Sequence, residues 1–191
     1  QRNGKARYDL FTQLVEYIKL RPFYDKKSKY TNKEGIYQSY NITGAAFVIR
    51  REIFENVGWF DERYFFCPED IALSTLLNKK GFKCYVNADI KLVHTGGGTW
   101  SKIQAATMPT SAKGSLIFFC EKSLLKKIIY LCMAYFFHTI YGFIWFLQYE
   151  LTHSSKSAVM YKAHFNTIKT IGTKKTPKQI FVKYYSRINA K

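Results

Sequence analysis

The sequence predicts an α/β layer followed by a helical, basic region that associates with membranes. Between residues 41 and 100, strand-like segments enclose a helix-like segment, and this succession favours an α/β fold over a helical bundle. Further along, residues 128–149 contain no Asp, Glu, Lys or Arg and include nine aromatic residues. Apolar residues make up 47% of the chain, which is ample for a packed core.

The first half of the predicted layer, up to Gly58, is predicted from the spacing of its apolar residues and from the glycine that ends a helix. Apolar residues in 8–20 recur near helical spacing, which predicts a helix. Residues 41–50 form a short apolar run with a glycine inside it, which predicts a buried strand or the edge of a strand. The segment 51–57 is typical of a short helix, and Gly58 is placed to end it.

The second half begins at Pro68, where the pattern changes. Apolar residues there recur at intervals of three and four, Lys79 and Lys80 follow in the last turn, and Gly81 is suited to a helix C-cap. Residues 82–89 predict a strand. Residues 90–100 predict a second short strand that runs into a glycine loop.

The net charge of +17 is unevenly distributed along the chain. Residues 1–40 carry nine basic and four acidic side chains, and residues 41–100 carry seven of each. Residues 101–191 carry fourteen basic and two acidic side chains. A nucleic-acid-binding module would place its cations on the folded surface that contacts the nucleic acid, whereas here they follow a neutral centre. This distribution suits an anionic membrane surface at least as well.

The four cysteines form no CxxC pair and show no metal-ligand spacing, so reduced thiols are expected. No signal peptide is visible, and the chain begins with Gln1. We therefore expect the chain to be the C-terminal piece of a longer protein.

Two adjacent carboxylates, Glu69 and Asp70, stand between an aromatic run and the helix after Pro68. The structural explanation is helix capping, because an acid in the first turn interacts favourably with the helix dipole, by about 0.3–1 kcal/mol. The functional explanation is general-base catalysis, in which a carboxylate held at a helix start takes a proton from an incoming hydroxyl. The pair alone favours capping.

Neighbouring residues add candidates, each with a structural alternative. Gly44 would let backbone approach a ligand closely, or would serve packing. Trp59 offers a stacking face or a core side chain. Asp61 and Glu62 are suited to hydrogen bonds with a polyhydroxylated molecule, or to a turn. His94, at a predicted strand end, is a candidate metal ligand or a satisfied structural histidine.

Together and in this order, the motifs resemble a known family. The stretch "TGAAFVIRREIFENVGWFDERYFFCPEDIALSTLLNKKGFKCYVNADIKLVHTGG" is similar to the C-terminal half of family 2 glycosyltransferases of the GT-A fold. These are inverting enzymes that use nucleotide sugars and have a Rossmann-like domain with a mixed sheet. The resemblance covers about residues 41–100.

The resemblance implies roles for individual residues. Asp70 would be the catalytic base, with Glu69, Asp61 and Glu62 in the acceptor site. Gly44 and Ala45 would line the side of the donor sugar. His94 would be a candidate contact to a metal ion or to the diphosphate. Trp59, with its stacking face, is a candidate contact to the substrate.

The resemblance also implies a division and a reaction. Residues 1–112 would belong to the GT-A domain, and residues 113–191 to a helical membrane-associating region. No DxD motif occurs in the chain, so a divalent metal, Mg²⁺ or Mn²⁺, would be bound mostly by a missing N-terminal half. The enzyme would transfer a hexosyl or deoxyhexosyl group from a nucleotide-diphosphate donor to a hydroxyl of a cell-surface glycan or lipid-linked acceptor. The fragment alone would be inactive.

The uncharged segment 128–149 is long enough to span a bilayer, which takes about 20 residues. The central His138 and the lysines on both flanks favour a position in the membrane interface, at the cytoplasmic face of a bacterial cell membrane. A spanning helix and a buried core helix remain alternatives. The rival functions are a non-catalytic remnant that binds glycan or membrane, and a basic nucleic-acid-binding protein.

Overall fold

The structure, a computed structural model, describes residues 4–5, 7–17, 34–93 and 103–189. It divides into two compact units. Unit 1 comprises Gln1–Glu62 with Pro68–Thr95, and unit 2 comprises Arg63–Cys67 with Gly96–Lys191. Unit 1 contains β1 (Gly4–Lys5), α1 (Leu10–Tyr17), β2 (Ile36–Ser39), β3 (Asn41–Ile42), α2 (Arg51–Asn56), α3 (Glu69–Lys79) and β4 (Cys84–Asn87). Unit 2 contains α4 (Gln104–Cys120), α5 (Leu124–Thr152), α6 (Ser155–Thr170) and α7 (Pro177–Asn189).

The described strands of unit 1 form two antiparallel pairs. Strand β1 pairs with β3, and β2 pairs with β4 so that Tyr37 stands opposite Val86. Both β2 and β4 alternate between exposed and buried side chains, as expected when one face of a sheet is covered. The predicted strand in 82–89 is confirmed by β4.

Helix α3 covers the buried centre of unit 1. Val57, Leu73, Leu77 and Cys84 form a buried apolar cluster against which half-buried side chains pack. These are Ile42, Phe47, Ile49, Ile53, Phe54, Leu76 and Phe82. The cluster joins two helices to the sheet and thereby fixes the position of α3.

The glycines that were predicted to end helices do so. Gly58 follows α2 with φ of 82°, and Gly81 follows α3 with φ of 85°, a conformation that favours glycine. The amide of Trp59 donates to the carbonyl of Phe54 at 2.9 Å, and that of Phe82 donates to Leu77 at 3.0 Å. This six-to-one bond is the signature of the Schellman motif.

Two predicted strands are wrong in part. Only Asn41–Ile42 of the segment 41–50 joins a ladder, because the chain turns at Gly44. Residues 47–50 do alternate, with Phe47 and Ile49 half-buried and Val48 fully exposed, but no described strand pairs with them. Residues 90–93 have no regular structure and are exposed, and the rest of that predicted strand lies outside the described residues.

The described residues of unit 2 form four helices. Helices α5 and α6 are joined by two residues, His153 and Ser154, and α6 also packs on α4, which contacts α7. The face of α5 that is buried comprises Tyr130, Ala134, His138 and Gly142, which are spaced four residues apart. This buried face combines small and polar residues with the fully buried ring of Tyr130. Other aromatic side chains of α5 also contact α6, as Tyr141 does with His164 and Phe146 does with Tyr161.

The mixed α/β class is confirmed only coarsely, because the structure is mostly helical and its described strands form two small sheets. The GT-A assignment stays a prediction. The predicted boundary between residues 112 and 113 falls within α4. This boundary was predicted as the end of the GT-A domain, and it also stays a prediction.

Candidate functional site

Asp70 and Ser74 join α3 to the chain segment that contains β3. The carboxylate Oδ2 of Asp70 accepts the backbone N–H of Gly44 at 3.0 Å. One helical turn later, the hydroxyl of Ser74 accepts the backbone N–H of Ile42 at 3.2 Å. Ser74 is fully buried, and this bond gives its hydroxyl the hydrogen-bond partner that a buried polar group requires.

Asn78 continues the same series. Its amide group donates to the carbonyl of Tyr40 at 2.8 Å. The polar side chains at 70, 74 and 78 thus meet the backbone at 44, 42 and 40. Four residues of helix rise about 6 Å, and two residues of extended chain rise about 6.6 Å, so the two periods match. We call these three side chains the polar ladder of α3.

Asp70 also takes part in the helix start. Its Oδ1 accepts the N–H of Ile71 at 2.8 Å, and the Ser74 hydroxyl donates to the Asp70 carbonyl at 2.8 Å. The structural role weighed for this residue is therefore present. A carboxylate has about four lone-pair positions, so these two N–H contacts fix its orientation without using all of its accepting capacity. Asp70 is half-buried, which leaves the group partly open to solvent.

Gly44 lies in the turn after β3 and is exposed. A Cβ atom at this position would lie 3.3 Å from the Cβ of Asp70 and 3.8 Å from its Oδ2. The close approach that a glycine was expected to permit is therefore an approach to Asp70, through the N–H bond. Contact with a donor sugar stays a prediction for Gly44 and for its exposed neighbour Ala45.

Trp59 has a local structural reason for its position. It follows Gly58 at the end of α2 with φ of 64°, and its ring packs at 4.8 Å against Phe54. An apolar contact between these two positions accompanies the Schellman motif. The ring is nevertheless 47% exposed, so a stacking surface is still available.

The remaining described candidates lie in the loop after Trp59 and at the start of α3. Asp61 is half-buried and Glu62 is exposed, in the loop after Trp59. Glu69 is half-buried and is the first residue of α3. His94 lies outside the described residues. Within the predicted set, the structure brings Gly44 into contact with Asp70.

The resemblance to family 2 glycosyltransferases implies a divalent metal ion. Across residues 4–5, 7–17, 34–93 and 103–189, no group of three or more His, Cys, Asp or Glu side chains is arranged to hold one. The described residues therefore do not fit a metal centre by themselves, and the divalent metal stays a proposal.

Two features of the structure were not predicted from the sequence. One is the pair Ser74 and Asn78, whose spacing from Asp70 marks one helix face but does not reveal its backbone partners. The other is a buried histidine pair in unit 2, where Nδ1 of His138 lies 2.8 Å from Nδ1 of His164. The apolar context of His138 was visible in the sequence, but its partner 26 residues away was not.

No protein-family model and no solved structure matches the chain. A 54-residue stretch is 39% identical to the O-antigen biosynthesis protein RfbC of Myxococcus xanthus, covering 28% of this chain and 4% of that protein. An 81-residue stretch is 28% identical to the N-acetylglucosaminyl-diphospho-decaprenol L-rhamnosyltransferase of two strains of Mycobacterium tuberculosis, covering 42% of this chain and 26% of that protein.

These matches decide the class at a coarse level. The chain has distant, partial similarity to glycosyltransferases of polysaccharide biosynthesis. It spans only about a quarter or less of the length of these relatives. The donors and acceptors of these relatives are therefore properties of those proteins.

Proposed function

We propose that this chain forms the acceptor side of an inverting family 2 glycosyltransferase of the GT-A fold. It would transfer a hexosyl or deoxyhexosyl group from a nucleotide-diphosphate donor to a hydroxyl of a glycan or lipid-linked acceptor. The partial similarity to glycosyltransferases supports the class. The name of the M. tuberculosis relative, which specifies a diphospho-decaprenol, supports a lipid-linked acceptor.

The observation that carries the proposal is the fixed carboxylate of Asp70. The N–H groups of Gly44 and Ile71 orient its two oxygens, and the buried Ser74 fixes the helix turn behind it. A general base must be held within hydrogen-bond reach of the proton that it removes, which requires such fixed geometry.

In the proposed reaction, the acceptor hydroxyl gives its proton to a carboxylate oxygen of Asp70. The resulting nucleophilic oxygen attacks the anomeric carbon from the face opposite the leaving group. The bond from that carbon to the diphosphate breaks, and the electron pair leaves with the nucleoside diphosphate. The anomeric configuration is therefore inverted.

The surrounding residues would orient the acceptor. The exposed ring of Trp59 offers an apolar face to a sugar, and Asp61 and Glu62 follow it directly in the chain. Glu69 adjoins the base. We derive no step through a metal ion, because the described residues do not supply its ligands.

The proposed location is the cytoplasmic face of the cell membrane, with a peripheral or monotopic attachment. Helix α5 is long and apolar enough to cross a membrane, yet only 22% of its most apolar window is buried in the protein. A core helix of a soluble protein would be mostly buried, so this exposure supports contact with lipid.

The experiment is a transfer assay with the protein as it is expressed from its gene. Labelled UDP-, GDP- and dTDP-linked hexoses and deoxyhexoses are offered with a polyprenyl-diphosphate-linked sugar, and the product linkage is determined by NMR. We expect transfer from one nucleotide class with inversion. A product that retains the anomeric configuration would contradict the proposed mechanism.

The second candidate is a non-catalytic remnant that binds glycan or membrane. Its support is that both oxygens of Asp70 already have a structural role. Oligosaccharide binding without transfer from any donor in the panel would favour this candidate over the enzyme.

A further inference from the structure

We propose that one face of α5 lies in the plane of a single membrane leaflet, while α6 faces water. This inference deepens the proposed membrane location by naming its surface, and it rests on that location rather than on the chemistry of Asp70. All of the observations that support it come from unit 2.

Helix α5 has two opposite faces of different chemistry. The face that packs in the protein contains Tyr130, Ala134, His138 and Gly142. At 3.6 residues per turn, the opposite face carries a continuous apolar stripe. We call this the α5 stripe; its members are Leu125, Ile129, Cys132, Phe136, Ile140, Phe143 and Leu147.

The α5 stripe is not covered by the protein. Phe136 is 58% exposed, Phe143 is 55% exposed, and the other members are exposed as well. Apolar residues scattered singly on a surface are normal, but a contiguous apolar patch marks an interaction site. The side chains of the stripe have no strong hydrogen-bonding groups, so hydrocarbon is a suitable environment for them.

The position of α6 is incompatible with an α5 that spans the membrane. It runs back along the C-terminal half of α5, with Tyr161 at 5.4 Å from Tyr149 and His164 at 5.0 Å from His138, measured between ring centroids. Gly142 of α5 lies next to His164 as well, since a Cβ there would be 3.2 Å from that side chain. Any membrane slab perpendicular to α5 would therefore also contain α6.

Such a slab would hold exposed cations at hydrocarbon depth. Lys156, Lys162 and Lys169 of α6 are all exposed. No described carboxylate forms a salt bridge with any of these lysines. Charged side chains within a bilayer are expensive and usually pair or face water. With α5 lying flat, the same lysines stay in water or among headgroups.

The charges around the stripe fit an anionic surface. Lys122, Lys126 and Lys127 are exposed at its N-terminal end. Unit 2 carries fifteen basic and two acidic residues, and the one acid of α5, Glu150, follows the last member of the stripe. Lysines beside an apolar helix face are the pattern of helices that lie in the interface of anionic membranes.

The first test measures binding of the 191-residue chain to vesicles of phosphatidylcholine with about one third phosphatidylglycerol. We expect Phe143→Glu to weaken partitioning by about tenfold or more, because it replaces an exposed aromatic ring that lipid would bury with a charged side chain. Val48→Glu is the matched control, since it changes charge equally at a fully exposed apolar residue of unit 1. It should change partitioning by about twofold or less.

The second test measures depth with nitroxide labels on cysteines introduced at Ile129, Phe136 and Phe143. Cys67 and Cys132 are replaced by serine, because these are the thiols that are not buried. A helix in the plane of the leaflet places the three labels at one depth. A spanning helix would separate the outer two by about 21 Å, and that result would overturn the proposal.

Two further outcomes would also overturn it. If the chain binds no vesicle but forms a dimer that Phe143→Glu dissociates, a second copy covers the stripe. If the chain stays monomeric and binds no vesicle, the stripe has no lipid partner. Neither outcome bears on sugar transfer, so failure here is distinct from failure of the proposed enzyme.

Discussion

The two units attach their principal helices by opposite means. In unit 1, α3 is held on the sheet segment by the polar ladder, whose three side chains bond to backbone groups. In unit 2, α5 packs on α6 through Gly142, a histidine pair and aromatic ring contacts such as that of Tyr141 with His164, and the α5 stripe remains exposed. Unit 1 carries fifteen basic and eleven acidic residues, whereas unit 2 carries fifteen and two.

The difference fits the two roles proposed above, a fixed carboxylate in unit 1 and a membrane-binding surface in unit 2. Directional hydrogen bonds fix the orientation of one carboxylate in unit 1, which is what chemistry at a single proton requires. Unit 2 gives up apolar burial within the protein and keeps an unbalanced positive charge. Both properties suit attachment to an anionic lipid surface.

The largest predicted effect is that a fall in pH lowers the stability of unit 2 more than that of unit 1. Burial, with a smaller contribution from the charge of His164, lowers the pKa of His138 to about 3. The folded value lies below the unfolded value of about 6.5, so unit 2 loses stability as pH falls from about 6.5 towards 3. The loss is about 1.4 kcal/mol per pH unit in that window.

Amide hydrogen exchange, followed separately in α3 and α5 between pH 7 and 5, measures this effect. Protection should fall in α5 and α6 more than in α3. His138→Gln should flatten the dependence in α5. Equal loss of protection in both units would contradict the comparison.

The polar ladder should give the next largest effect. Asn78→Ala removes the donor to the Tyr40 carbonyl and should lower the free energy of unfolding of unit 1 by about 1–3 kcal/mol. Urea unfolding measures the change. Lys79→Ala, at the exposed neighbouring position, is the control and should stay within about 0.5 kcal/mol. Similar values for both variants would show that the ladder contributes no stability.

Gly44→Ala should destabilise unit 1 less than Asn78→Ala does, but it should disturb the position of the Asp70 carboxylate more. The added Cβ would lie 3.3 Å from the Cβ of Asp70, a tight contact that the turn must relieve by moving. We expect about 1 kcal/mol of destabilisation together with reduced sugar transfer. Val48→Ala, at a fully exposed residue of unit 1 outside the predicted site, should affect neither. Unchanged transfer in Gly44→Ala would show that the carboxylate tolerates displacement.

The smallest effect is expected at the surface pair Arg51–Glu55 of α2, whose side chains are 83% and 45% exposed. Arg51→Ala should change the midpoint of thermal unfolding by an amount that corresponds to about 0.5 kcal/mol or less. A change above about 1 kcal/mol would mean that α2 depends on charge as well as on its apolar contacts.

The features that the sequence predicted correctly are the ones set by local chemistry. Gly58 and Gly81 end their helices because each helix end requires a positive φ, and Asp70 stands at a helix start. Of the strand expected in residues 41–50, residues 47–50 alternate between half-buried and exposed side chains but have no described partner strand. Strand pairing depends on residues distant in the sequence. The backbone groups that the polar ladder meets are non-local for the same reason.

The buried face of α5 shows a second limit. Hydrophobicity alone would place Phe136 and Phe143 inside, yet Ala134, His138 and Gly142 are buried instead. Close helix packing selects small residues. That selection depends on α6, which the sequence pattern of α5 does not contain.

The most direct measurement is the rate of sugar transfer by Asp70→Asn, compared with its thermal stability. Asparagine keeps one carbonyl oxygen that can accept the N–H of Gly44, but it cannot take a proton at neutral pH. We predict a rate loss of about 10²–10⁴ with at most about 1 kcal/mol of destabilisation. Transfer at the wild-type rate, or a loss fully explained by unfolding, would show that Asp70 only anchors α3.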